Sequence, residues 1–185
     1  MSTAFARLGF VLSFVLSCAA FLGACAFPGS GAATGTLLSV APETLGERTL
    51  EQRLVMRWPD GERSLEAALE ISEGKLRLAL MSFGMRVSTL EYNGRTLDET
   101  RHLPQAPPGA RIINDLLMMA APLEALRTAL PEGWAVTESE GQRRFTQDGA
   151  TQIVVRYRTG TPWQGQVIFE HHVLGYQLSV DSHEF

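Results

Sequence analysis

Two places in the chain bring together side chains able to bind a metal or move a proton. His171 and His172 are adjacent in QVIFEHH, and the terminal DSHEF offers Asp181, His183 and Glu184. Consecutive side chains on a strand point to opposite faces, so His171 follows Val167 and Phe169 inward while His172 faces away, which makes them a poor metal pair. An inward His171 either meets a polar head group at the mouth of a cavity or is hydrogen-bonded within the core. Asp181 and His183 share one face, but at a chain end the ordinary reading is a solvated tail. The sequence holds no GxSxG elbow, no HExxH and no glycine-rich phosphate loop. Its serines and carboxylates fall on faces whose pattern assigns them to solvent. These observations predict a protein that is not an enzyme and that uses no metal and no cofactor.

The other reactive side chains are two cysteines, Cys18 and Cys25. MSTAFAR carries Arg7 and is followed by an uncharged run over residues 8–27, the layout of a secretory signal. Such a run also just spans a bilayer, at about 1.5 Å per residue against roughly 30 Å of hydrocarbon. LGAC at Leu22 to Cys25 resembles the lipobox of bacterial lipoproteins, a branched residue and two small ones before the cysteine that is acylated and becomes the new N-terminus. Cys18 sits inside the apolar run without the small pair. The resemblance implies a signal peptide over residues 1–24 and attachment through Cys25. One acyl chain holds a protein marginally, at roughly 0.8 kcal/mol per methylene, whereas two or three on one cysteine make the attachment effectively permanent. In that family an aspartate after the cysteine retains the protein at the inner membrane. Ala26 stands there instead, which implies the periplasmic face of the outer membrane.

Removing residues 1–24 takes away one basic residue and no acidic one, so the formal charge of −4 becomes −5. A mildly acidic, mixed surface argues against nucleic acid as a partner. What remains is one domain's length, enough for a real core. With Cys18 removed and Cys25 acylated, no thiol is left for a disulfide. PGSGAATG, residues 28–35, is small and uncharged and reads as part of a flexible tether over residues 25–46, leaving 47–185 as the folded domain.

From residue 47 the pattern has period two. Leu50, Leu54, Met56 and Trp58 share one face, then Leu65, Ala67, Leu69 and Ile71, then Leu76, Leu78 and Leu80, with turns at PDGE and at Glu73–Gly74. These are half-buried antiparallel strands joined by hairpins, and VSTLEY, NG and RTLDET continue them. LPQAPPG breaks the pattern, and ARIINDLLMMAAPLEALRTAL has helical spacing, with Ile112, Ile113, Leu116, Leu117, Met119 and Ala120 on a broad apolar face. Pro122 either kinks this helix or starts a second one. Strands return from WAVTES to YQLSVDS. The expected architecture is mainly β with a helical insert: one curved antiparallel half-barrel of about nine to eleven strands, with helices covering its concave face.

A curled sheet closed by helices encloses an apolar space that commonly holds one ligand. The expected lining is Leu54, Met56, Leu69, Leu76, Leu78, Leu80, Leu116, Met119 and Phe169. Five methionines, Met56, Met81, Met85, Met118 and Met119, either soften that lining or serve as core filler. Phe83, at the MSFGM turn beside Gly84, either dips into a bilayer interface or is folded back into the core by a bulge at Ser82. Trp163 in TPWQG reads as a loop residue packed on the sheet.

LRLALMSFGMRVSTLEYNG followed by IINDLLMMAAPLEALRTALPEGW resembles the outer-membrane lipoprotein receptor LolB of the LolA/LolB superfamily. It is more similar still to LolB-related lipoproteins associated with aryl polyene biosynthesis. The resemblance covers about residues 47–183 and rests on diffuse patterns of hydrophobic residues and turns. It implies a half-open barrel with a helical lid that binds a lipid, acyl or polyene chain and helps place it in the outer membrane. A periplasmic LolA-like carrier would be its delivering partner. Phe83 matches the exposed leucine of that family, but as phenylalanine and without a preceding proline. The alternative from another class is a scaffold or assembly lipoprotein that joins a protein partner through an exposed strand edge.

Overall fold

A computed structural model of the chain describes residues 36–104 and 106–184. A short 3₁₀ helix, Pro42–Leu45, precedes five strands: β1 (Arg48–Trp58), β2 (Gly61–Ser72), β3 (Lys75–Ser82), β4 (Met85–Tyr92) and β5 (Leu97–Arg101). Two helices follow, α1 (Gly109–Ala120) and α2 (Leu123–Ala129). The chain then runs through β6 (Trp134–Ser139), β7 (Gln142–Gln147), β8 (Ala150–Tyr157), β9 (Gly165–His171) and β10 (Tyr176–Glu184). All ten strands form one open antiparallel sheet in the order β5-β4-β3-β2-β1-β10-β9-β8-β7-β6. The first and last strands pair at its centre, and the two helices link its edge strands β5 and β6 along the chain. This arrangement is mainly β and fits a curved half-barrel.

The strands form where the period-two pattern lies. In β2 the burial alternates over Leu65, Ala67, Leu69 and Ile71, and in β3 over Leu76, Leu78 and Leu80. The registers Leu69↔Leu78, Ala67↔Leu80 and Leu54↔Leu65 set these inward residues side by side, so burial on one face specifies the pairing. The β2–β3 turn needs two consecutive residues in the left-handed region, Glu73 (φ 51°) and Gly74 (φ 70°), which is why a glycine stands second. Phe83 (φ 50°) and Gly84 (φ 73°) make the same turn between β3 and β4.

Pro122 starts the second helix rather than kinking the first. Gly109, the first residue of α1, lies so close to β4 and β5 that a Cβ there would come within 2.6 Å of Leu90 Cδ2 and 2.9 Å of Glu99 Cδ. Its N–H donates to Glu99 Oε1 (3.2 Å), which places a carboxylate at the helix N-terminus. At the other end Arg143 Nη1 donates to the carbonyls of Met118, Met119 and Ala121 at 3.3, 3.3 and 2.7 Å, satisfying acceptors that the helix leaves over. Arg143 also pairs with Glu138, and the Tyr157 hydroxyl donates to Met119 O at 2.6 Å. The end of α1 is thereby tied to β7 and β8.

The folded region begins earlier than residue 47. Leu38, Val40 and Leu45, which the sequence reading put in the tether, are buried in the core. Their backbone is held by side chains far along the chain. The Tyr92 hydroxyl donates to Leu38 O (2.5 Å) and accepts from Val40 N (3.0 Å), while Asn114 accepts from Leu38 N (2.9 Å) and donates to Thr36 O (3.0 Å). Neither partner is near in sequence, so composition alone made this stretch look like linker. Asp181 and His183 lie within β10, paired opposite Arg53 and Glu51 of β1, so they belong to a strand and not to a tail, while their side chains stay solvated.

Candidate functional site

Inward residues of the strands and one side of α1 line a cavity. β1 contributes Gln52, Leu54 and Met56, β2 contributes Leu65 and Ala67, and β3 contributes Leu78 and Leu80. From β9 and β10 come Val167, Leu178 and Val180, and from α1 come Ile112, Asp115, Leu116, Met119 and Ala120. Pro107, Pro162 and Trp163 complete the wall from loops. The cavity measures about 60 Å³ and opens to solvent. An engineered apolar cavity of about 150 Å³ takes up benzene, so this cavity as it stands is smaller than one ring and must widen to take a chain.

Six expected lining residues are at this cavity: Leu54, Met56, Leu78, Leu80, Leu116 and Met119. Leu69, Leu76 and Phe169 are not. All three are solidly packed in the core, because inward direction on a strand does not tell a residue beside a gap from one pressed against its neighbours. Of the five methionines only Met56 and Met119 face the cavity, while Met118 is core and Met85 is exposed.

Trp163 joins the wall and is stacked under the Arg48 guanidinium, 4.2 Å from the ring. Phe83 does not fold back. The register shift between β3 and β4 falls at Leu80/Met81, before the turn, and leaves Phe83 96% exposed at the hairpin tip beside Met85 at 56%.

The polar part of the site is the one sequence reasoning missed. The sequence pattern assigns Asp115 to a solvent face, yet it is 3% exposed, with Ser88 and Ser182 also buried. Ile112, Asp115, Leu116 and Met119 follow the i, i+3, i+4, i+7 rule of a buried stripe, so the spacing held the signal and the residue type hid it. Tyr176 of β10 donates to Asp115 Oδ2 at 2.6 Å, while Oδ1 has no hydrogen-bond partner among the described residues. Burial pushes the Asp115 carboxyl up to about 7, against the opposing effects of the Tyr176 hydrogen bond and the Arg111 charge. The Tyr176 hydroxyl is raised, by burial first and by Asp115 second.

His171 lies beside this pair, its ring 5.3 Å from that of Tyr176. It is 1% exposed, and its Nδ1 accepts from Leu174 N at 3.3 Å. It is therefore a core histidine and not a group at the cavity mouth. Burial, with the charges of Arg111 and His172, lowers its pKa to about 4. His172 diverges from it to the exposed face as the strand geometry requires. On the cavity wall itself, Gln52 donates to Ser182 Oγ at 2.9 Å. Among the described residues no group of three or more His, Cys, Asp or Glu is placed to hold a metal.

Fold and site together define a mainly β protein with one open ten-stranded antiparallel sheet, two helices, and an apolar cavity between strand and helix side chains. The chain belongs to the family described as "Protein of unknown function (DUF3261)", whose model matches residues 49–184, from the first strand to the last. A comparison with curated proteins finds no match. Among the described residues no helix is long and apolar enough to cross a membrane. Cys25 and the signal and tether segments before residue 36 lie outside the described residues.

Proposed function

We propose that the protein is a LolB-like lipoprotein, anchored through acylated Cys25 at the periplasmic face of the outer membrane, that binds a lipid, acyl or polyene chain and helps place it in that membrane. The observation that carries this reading is the apolar cavity bounded by β1–β3, β9, β10 and α1. In it the two helices cover the concave face of the sheet, with α1 as the inner wall of the lid. The cavity widens to admit the chain when the unbranched side chains of Met56 and Met119 change rotamer. Each methylene taken from water contributes roughly 0.8 kcal/mol before the costs of association. Phe83 and Met85, side by side at an exposed hairpin tip, suit contact with the bilayer interface. A LolA-like periplasmic carrier would deliver the cargo.

Native mass spectrometry of the full-length protein extracted from membranes tests the reading. Bound species heavier than the protein by the mass of one chain-bearing lipid or polyene are expected, and Ala67→Phe, which fills the cavity, removes them. A protein that carries no such ligand, or whose ligand is indifferent to Ala67→Phe, overturns it.

A further inference from the structure

Asp115 differs from the wall it belongs to. The other α1 residues at the cavity are Ile112, Leu116, Met119 and Ala120, all apolar, and a leucine at 115 would complete their stripe. Asp115 is nevertheless there, 3% exposed, with Oδ2 engaged by Tyr176 and Oδ1 buried without a partner among the described residues. A buried carboxyl oxygen that accepts nothing destabilises the fold. Asp115 lines the cavity, so a polar group entering there is in place to supply the missing partner.

The surroundings decide the charge of that end. An anionic head would meet the Asp115 carboxyl in a site that screens little. A cationic head would lose its hydration in the same apolar space and meet the field of Arg111, whose charge acts on both Asp115 and His171 and whose Nε is likewise buried without a partner. An uncharged head carries neither penalty. We infer that the cavity takes an apolar chain that ends in a hydroxyl group, and that this hydroxyl hydrogen-bonds to Asp115 Oδ1. The inference rests on the proposed function and adds the chemistry of the ligand's polar end. A hydroxyl both donates and accepts, so it satisfies the carboxylate as an acceptor and the carboxylic acid as a donor.

That dual capacity makes the test specific. Tyr176 from β10 donates to Asp115, Arg111 of its own helix acts on it by charge, and His171 from β9 lies against the Tyr176 ring. The tyrosine pKa is raised and the histidine lies at about 4, so in this cluster Asp115, at about 7, titrates between pH 5.5 and 8.5. Full-length protein in nanodiscs, with empty nanodiscs subtracted, is assayed by displacement of an apolar fluorescent dye. The competitors are 1-decanol, decyl methyl ether and 1-chlorodecane, which match in chain but differ in donating and accepting. Decanol is expected to bind about tenfold more tightly than chlorodecane at both pH values, as one buried hydrogen bond predicts. The ether should match decanol at pH 5.5, where Asp115 donates, and fall to the level of chlorodecane at pH 8.5. Asp115→Leu should bind all three alike, and Asp115→Asn should keep the decanol preference without the pH dependence of the ether.

Equal displacement by all three in the wild-type protein overturns the inference and leaves chain binding standing. A decanol preference that persists in Asp115→Leu also overturns it. If none of the three displaces the dye, the chain-binding reading itself falls. Should Asp115→Leu fail to fold, the wild-type ether series at the two pH values decides alone.

Discussion

Replacing Asp115 by asparagine keeps the acceptor for Tyr176 and removes the titration, so the pH dependence of the stability difference isolates one buried carboxyl. The pKa of Asp115 rises from 3.8 in the ordinary state to about 7 in the fold. Between those values the native state holds a proton that the unfolded chain has lost, so this group's contribution to stability falls as pH rises, and it stops falling above about 7. At 1.36 kcal/mol per unit, the penalty above pH 7 is about 4 kcal/mol. His171 works in the opposite direction. Its pKa is lowered from 6.5 to about 4, so over that range the unfolded chain binds more protons and stability rises with pH, by about 3 kcal/mol in all. From pH 5 to 6.5 the two slopes nearly cancel, and the wild-type profile is flat where either group alone would tilt it. Urea melts from pH 5 to 8, with m constant, should show Asp115→Asn gaining on the wild type by about 2 kcal/mol between pH 5 and 7 and by little more beyond. The difference between the two proteins cancels the surface carboxylates, which titrate alike in both. A stability difference that does not change with pH would show that Asp115 ionises at its ordinary value, and the burial argument would fail with it.

Three further outcomes follow from contacts already described. Arg143→Met takes their side-chain donor from the Met118 and Ala121 carbonyls at the end of α1 and leaves Glu138 without its partner, and should lower stability by about 3 kcal/mol in urea denaturation. Tyr92→Phe strips Leu38 O and Val40 N of their partner. It should reduce stability by about 1–2 kcal/mol and speed amide exchange at Val40 in hydrogen-exchange mass spectrometry. Phe83→Asn should raise stability by about 0.5–1 kcal/mol, because an exposed ring at φ 50° loses no packing and Asn–Gly suits a turn with two positive φ angles. A loss of stability in a thermal melt would mean that the ring has contacts in the fold.

Most of the fold was legible in the sequence because its signals are local. Alternation over Leu65 to Ile71 and Leu76 to Leu80, glycines at positive φ, and prolines at helix starts each act within a few residues; the strands fall where those signals put them, and the structure settles their number at ten and the helical insert as two helices. The spacing of Leu54, Met56, Leu78 and Leu80 likewise put them on the inward face. Two things were decided only by tertiary structure. Which inward residues border empty space, as Leu78 does and Leu76 does not, depends on how opposing surfaces meet, and period two is blind to that. Whether a polar residue is solvated depends on what packs over it. Asp115 carries the same charge in the sequence as any surface carboxylate, and only the arrival of Tyr176 from β10, 61 residues and four strands further along the chain, makes it a buried group with one oxygen unanswered.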